Sequence, residues 1–159
     1  MSGLVIISVV VGLMTIFIIG RRWVAQHSPM PSHLGVRNGF LAKCPAAPNC
    51  VCTQAHPTDP SHYIDPILFD QDMAIARERL LDILRQFPRT TIKANQPNYI
   101  HAEIKSLVWG RIDDIEFYFD RDHQVIHGRS AARLGYRDRG ANQKRMEKIR
   151  DTFWDRDKR

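Results

Sequence analysis

Between Asp113 and Arg133 the chain gathers side chains that could act together. Asp113, Asp114 and Glu116 come first, then Arg129, Ser130 and Arg133. Carboxylates beside guanidinium groups shift each other's proton affinity, and such a mixed cluster can hold a small anion. A seryl oxygen attacks a substrate only when a base stands next to it, and no spacing in the sequence supplies one for Ser130. The chemistry on offer is therefore ionic recognition before it is covalent catalysis.

The elements that must position these groups follow from periodicity. Ile115, Phe117 and Phe119 alternate with Asp114, Glu116 and Tyr118, the period of a strand with one dry face and one wet face. Arg121-Asp122 reads as a two-residue turn, and Val125 to Arg133 as the returning strand. That loop length pairs Phe117 with Ile126 and Ile115 with Gly128 on the dry face. On the wet face it pairs Glu116 with His127 and Asp114 with Arg129, both charge-complementary. Asp113 then faces Ser130 at the rim of the dry face. The plain expectation is a salt-bridge ladder on an exposed sheet, each pair worth roughly 0–1 kcal/mol. The sharper one is a binding face. Arg129, Arg133, Arg137 and Arg139 crowd around Gly135, Tyr136 and Gly140 just before a helix start, where a carboxylate or phosphate would be welcome.

Upstream, Tyr99 to Trp109 reads as a strand with Ile100, Ala102, Ile104 and Val108 on one face and His101, Glu103 and Lys105 on the other. His101 and Glu103 could thus extend the polar face toward Glu116 and Asp114, for acid–base or metal chemistry, although a histidine on a wet face is normally just solvated. Cys44, Cys50 and Cys52, with His56 and His62, make soft metal ligands conceivable, but their spacing matches no closed zinc motif. Structural loop thiols are the default. Outside the cytoplasm Cys44 and Cys50 could close a disulfide; inside it they would stay reduced.

Several of these residues carry a family resemblance. The runs Cys44 to Cys50 (CPAAPNC), Asn98 to Glu103 (NYIHAE), Asp113 to Phe117 (DDIEF) and Arg129 to Asn142 (RSAARLGYRDRGAN) together resemble the domain-of-unknown-function family 1499, over roughly Leu41 to Thr152. The resemblance implies a small α+β domain, often tied to a membrane, with no established chemistry. Carried over position by position, it nominates Cys44, Cys50, His101, Glu103, Asp113, Asp114, Glu116, Arg129, Ser130, Arg133, Tyr136, Asp138, Asn142 and Arg145. Cys52 stands where the family usually has Ser, which sets this chain's thiols apart from the pattern, and Ala132 where it more often has Ser, which leaves the arginine-rich turn less hydroxyl-rich.

The net charge of +6 is concentrated. From Arg129 to Arg150 eight Lys/Arg face two acids, a patch suited to anionic lipid or an acidic protein partner. No RNA-binding aromatic motif, zinc finger or helix-turn-helix spacing is present, so nucleic acid is not an expected partner.

In chain order, Leu4 to Ile19 is apolar, with Arg21-Arg22-Trp23 directly after it and no basic residue before it. An uncleaved single-pass anchor over residues 1–22 is expected, with membrane contact through residues 4–19. The positive-inside rule puts Arg21-Arg22, and the domain behind them, on the cytoplasmic side. Residues 23–40 read as a linker and 41–159 as the domain, with Cys44 to His62 kept irregular by its prolines. Asp70 can cap a helix from about Asp72 to Phe87, which Pro88 stops. Thr90 to Ala94 is a short strand, Asn142 to about Trp154 the closing helix, and Asp155 to Arg159 a tail that frays. Lys144, Arg145, Lys148 and Arg150 are expected to keep their charge outward or toward a partner. The architecture is thus α+β: a transmembrane helix, then an antiparallel sheet of about four strands with two packing helices.

No nucleophile elbow, phosphate-binding glycine loop, H-E-x-x-H or dinucleotide fingerprint occurs, so neither a catalytic residue nor a cofactor is assigned. The expected role is a membrane-anchored interaction module or accessory subunit. The alternative is a binder of, or enzyme acting on, a small anionic ligand at the Asp/Glu/Arg cluster.

Overall fold

The structure, a computed structural model, describes residues 2–155; of the tail expected to fray, residues 156–159 lie outside the described residues. In order the elements are α1 (Ser2–Gln26), β1 (Cys50–Cys52), β2 (Ile67–Leu68), α2 (Met73–Gln86), β3 (Thr90–Gln96), β4 (Tyr99–Lys105), β5 (Ile112–Asp120), β6 (Val125–Ala132) and α3 (Ala141–Asp155). The protein is α+β, as expected. The sheet is antiparallel with strand order β1-β6-β5-β4-β3, and β2 also pairs with β6.

The four long strands β3 to β6 are the ones the alternation predicts; β1 and β2 are additions. β1 falls within the segment expected to be irregular. The prolines do exclude longer structure there, but Cys50–Cys52 lies between Pro48 and Pro57 and is free to pair with Arg129–Ala131 of β6.

Apolar alternation fixes which face carries the core. Ile100 and Ile104 of β4, Ile115, Phe117 and Phe119 of β5, Ile126 of β6 and Val51 of β1 pack against Leu80, Leu81, Ile83 and Leu84 of α2. Met146, Ile149 and Phe153 of α3 close the same core. α2 starts at Asp72, whose Oδ1 accepts from the Ala74 amide at 2.8 Å, so Asp72 is the cap rather than Asp70. α3 approaches β6 closely because Gly128 has no side chain. A Cβ there would strike Met146 Cε and come within 3.3 Å of Phe117 Cε1.

The hairpin keeps its predicted faces but not its register. Glu116 pairs with Arg129, Phe117 with Gly128 and Asp120 with Val125, so residues 121–124 form the loop and Gln124 takes φ 54°. The predicted two-residue turn lacked a glycine, and the chain uses a longer loop instead. A slip of two positions leaves every side chain on its own face, so burial could not distinguish the two registers.

β4 ends at Lys105, not Trp109. Ser106 to Gly110 turn away, and Leu107, Val108 and Trp109 are exposed rather than paired. α1 extends to Gln26, and Gly3–Val24 within it is long and apolar enough to cross a membrane, with mean hydropathy 2.7 and no part buried.

Candidate functional site

The residues nominated from the sequence divide between the two faces of the sheet. His101, Glu103, Asp114, Glu116 and Arg129 share the face away from the helices, where the two-residue period of β4, β5 and β6 puts them. Asp113 and Ser130 point to the helix side, where α3 supplies Asn142 and Arg145. Tyr136 joins neither group and is exposed on the loop before α3. There are two ionic clusters with a sheet between them.

The first was expected to be wet. It is buried: Glu116 is 0% exposed, Asp114 1%, Arg129 2%, His101 4% and Glu103 7%. The stretch read as a linker covers it. Arg133 Nη1 donates to the Ser28 carbonyl at 3.0 Å, Arg129 Nη2 to His33 Nε2 at 3.4 Å, and the Gly35 amide to Glu116 Oε1 at 2.7 Å. Arg37 and Phe40 then pair across Asn38-Gly39, both at positive φ, before Leu41 packs near Cys52 and Tyr99. Asn-Gly is a strong turn signal, and it was the clue in the sequence that this stretch is ordered.

Inside the cluster the charges are nearly matched. Arg133 spans two acids, reaching Asp114 Oδ2 through Nε at 2.8 Å, Asp114 Oδ1 through Nη2 at 2.7 Å and Glu103 Oε1 through Nη2 at 2.6 Å. His101 Nε2 lies 2.8 Å from Asp114 Oδ1. Arg129 Nη1 meets Glu116 Oε2 at 2.9 Å, and the Tyr99 hydroxyl donates to Glu116 Oε1 at 2.7 Å. Lys93 Nζ stands 3.5 Å from the remaining Glu103 oxygen. Burial pushes the Asp114 carboxyl up, but the hydrogen bonds from Arg133 and His101 outweigh it and hold the group below the usual carboxylate range. Bonding to Asp114, set against burial, raises Arg133 further. Burial, then the Glu116 charge, drives the Tyr99 phenol well upward, so it is a fixed donor. The predicted Asp114–Arg129 and Glu116–His127 pairs are replaced by Asp114–Arg133 and Glu116–Arg129, and His127 instead stacks on Tyr118 at 6.0 Å.

The second cluster ties the loop after β6 to α3. Arg145 Nη2 donates to Asp113 Oδ2 at 2.7 Å, and its Nη1 to Asn142 Oδ1 at 2.6 Å and to Ser130 Oγ at 3.2 Å. Ser130 Oγ donates to Asn142 Oδ1 at 2.5 Å, and Asn142 Nδ2 donates to the Asn49 carbonyl and to Asp138 Oδ2. Asp138 also accepts from the Gly140 and Asn142 amides and so caps α3. Ser130 therefore bonds to a neutral amide and a guanidinium, neither of which can take its proton. Burial, only partly offset by Arg145, raises the Asp113 carboxyl.

The basic helix keeps Lys144 and Lys148 outward, as expected, but not Arg145 and Arg150. Arg145 faces in, Arg150 reaches Asp65 Oδ2 at 3.2 Å, and Lys148 lies over the Phe87 ring. Lys144 and Lys148 on the helix, and Arg137 and Arg139 before it, stay exposed.

Cys44 and Cys50 form a disulfide with Cα atoms 5.6 Å apart, which removes two of the three thiols from any metal set. Cys52 is free and buried, and burial raises its thiol. His56 Nδ1 bonds Thr58 Oγ1 instead. Among the described residues no group of three or more His, Cys, Asp or Glu is arranged to hold a metal. Between the covering segment and the sheet lies a cavity of about 600 Å³, lined by His33, Lys43, Cys44, Asn49, Arg129 and Arg133 among others.

Residues 40–153 match the family model DUF1499, described as protein of unknown function. That is most of the chain, and the chain belongs to this family. No curated protein matches it.

Proposed function

We propose that this DUF1499 member is a membrane-tethered, non-enzymatic interaction module, an accessory subunit whose domain is held close to the bilayer. The observation that carries this reading is the internal neutralisation of the first cluster. Both oxygens of Asp114 and of Glu116 already accept from donors of the chain itself, and Arg133 is spread over Asp114 and Glu103. Each of these carboxylates already accepts three hydrogen bonds from the chain and is neutralised by a guanidinium, and Ser130 has no base beside it among the described residues. The cluster works as a seam that fastens Ser28–Gly35, the continuation of α1, across the sheet. A seam of that kind would keep the domain from swinging freely on its anchor.

On the side of the membrane two signals oppose. Arg21-Arg22 favour the cytoplasm, while the Cys44–Cys50 disulfide favours an oxidising compartment, and we give the disulfide the greater weight because cytosolic reductants would open it. Protease protection on intact spheroplasts decides between them. The accessory role is tested by purification in mild detergent: partner subunits should co-elute, and a strictly monomeric species would sink it.

A second reading has one specific observation behind it. Arg129 Nε and Asn49 Oδ1 are buried without hydrogen-bond partners among the described residues, and both residues line the 600 Å³ cavity together with Lys43 and His33. A small ligand with an anionic group and a donor would satisfy both atoms. A thermal-shift response to phosphate or citrate that is lost in Arg129→Glu would favour this reading; no response in the wild type would remove it.

A further inference from the structure

We infer that the turn Ser106–Arg111 is a second membrane contact, inserting Leu107, Val108 and Trp109 into the bilayer interface beside α1. This inference rests on the reading of α1 as a membrane span and adds a depth and an orientation to it.

The argument begins with the turn. Between Lys105 and Arg111 it carries no charge, and at its tip Leu107 is 66% exposed, Val108 52% and Trp109 50%. Three adjacent large apolar side chains are costly to leave in water, and the base of the turn is closed by its own hydrogen bonds. Ser106 N donates to the Arg111 carbonyl at 2.8 Å, Gly110 N to the Ser106 carbonyl at 3.2 Å, and Arg111 N to Ser106 Oγ at 2.9 Å. Gly110 takes φ 66°, which lets the turn close so tightly. The bonded base of the turn is closed on itself, while the amides of Leu107, Val108 and Trp109 have no protein acceptor among the described residues and suit the hydrated headgroup level rather than the dry centre of a bilayer.

Contact with α1 then sets the depth. The Trp109 ring lies 5.8 Å from that of Phe17, and Arg21 Nη1 donates to the Leu107 carbonyl at 3.1 Å. The apolar span runs Gly3–Val24, so at 1.5 Å per residue it is about 33 Å long, against roughly 30 Å of hydrocarbon. Phe17 sits four residues before Arg21, the first charge at that end of the span, and so only about 6 Å below the level at which charged groups reach the headgroups. A ring packed on Phe17 cannot stand in bulk water if the span lies in the bilayer.

The surroundings suit lipid. Trp at this level is the usual interfacial anchor, and Lys105 and Arg111 flank the tip where headgroup phosphates would lie. Arg111 also approaches Gly135, at the start of the loop bearing exposed Tyr136, Arg137 and Arg139. An apolar tip ringed by cations fits an anionic bilayer surface, whereas a protein partner would have to displace lipid from beside α1.

The test uses the full chain reconstituted in phosphatidylcholine/phosphatidylglycerol vesicles, with Trp109 as sole tryptophan (Trp23→Phe, Trp154→Phe). Lipids brominated near the glycerol end of the acyl chain should quench its emission strongly, those brominated near the chain terminus less, and aqueous iodide least. A parallel chain with Trp109→Phe and Met14→Trp reports on α1 alone. Trp109 unquenched by lipid while Met14→Trp is quenched overturns the inference and leaves the anchor standing. That holds whether iodide reaches Trp109, as in water, or does not, as under a protein partner. If neither position is quenched by lipid, the anchor reading fails and the inference with it.

Discussion

Glu116 and Arg129 stand directly opposite each other on β5 and β6, and their side chains meet at 2.9 Å with neither more than 2% exposed. An ion pair in that position is expensive to desolvate, so its persistence depends on the further bonds around it. Glu116 has them from Tyr99 and Gly35, whereas Arg129 Nε has no partner among the described residues.

Arg133 is the keystone of the same face, and Arg133→Met should destabilise the domain by about 3–5 kcal/mol, because it strands Asp114 and Glu103 as buried charges. Arg133→Lys should recover only part, since one ammonium cannot reproduce a planar fork on two carboxylates. Urea unfolding of the full chain in detergent measures both. The Met loss should shrink in an Asp114→Asn background, where fewer charges are stranded.

Acid stability should carry two opposite signatures. The Asp114 carboxyl is lowered in the folded state, so its contribution is complete above the unfolded value of about 4 and is lost as pH falls below that. Asp113 is raised by burial, so the folded state takes up its proton first, and stability rises as pH falls from neutral toward about 4. Thermal melts against pH should show the fall diminished in Asp114→Asn and the rise abolished in Asp113→Asn.

Reducing or deleting the Cys44–Cys50 bridge (Cys44→Ser with Cys50→Ser) should cost about 2 kcal/mol, the modest value expected for so short a closed loop. Alkylation of chains trapped directly from membranes should label Cys52 alone, and only after unfolding, since that thiol is buried. Labelling of Cys44 and Cys50 without a reductant would place the domain in a reducing compartment.

Gly128→Ala should destabilise by about 1 kcal/mol, the low end for an overpacked core, because a Cβ collides with the mobile end of Met146 before it reaches Phe117. Shortening Met146 to Val in the same chain should return part of the loss. Chemical unfolding of the single and double variants tests this, and additive losses would refute the contact.

The sequence alone determined the apolar N-terminal helix, the helix–sheet composition and the faces of β4, β5 and β6, because each is written in local periodicity. Residues two apart share a face whatever lies over it, so Ile115, Phe117 and Phe119 declared the core side and Asp114 and Glu116 the other. Tertiary structure decided what lay over that second face. A segment some eighty residues upstream of Glu116, bent at Asn38-Gly39, covers it and turns an expected solvent ladder into a buried network. It also decided the register, since slipping by two residues changes partners but not faces, and the length of the 121–124 loop made the choice. The separation of Asp113 and Ser130 from Asp114 was already written in that alternation, since neighbours in a strand point to opposite sides of its sheet, but only the tertiary structure brought Arg145 of α3 to the first pair and Arg133 to Asp114.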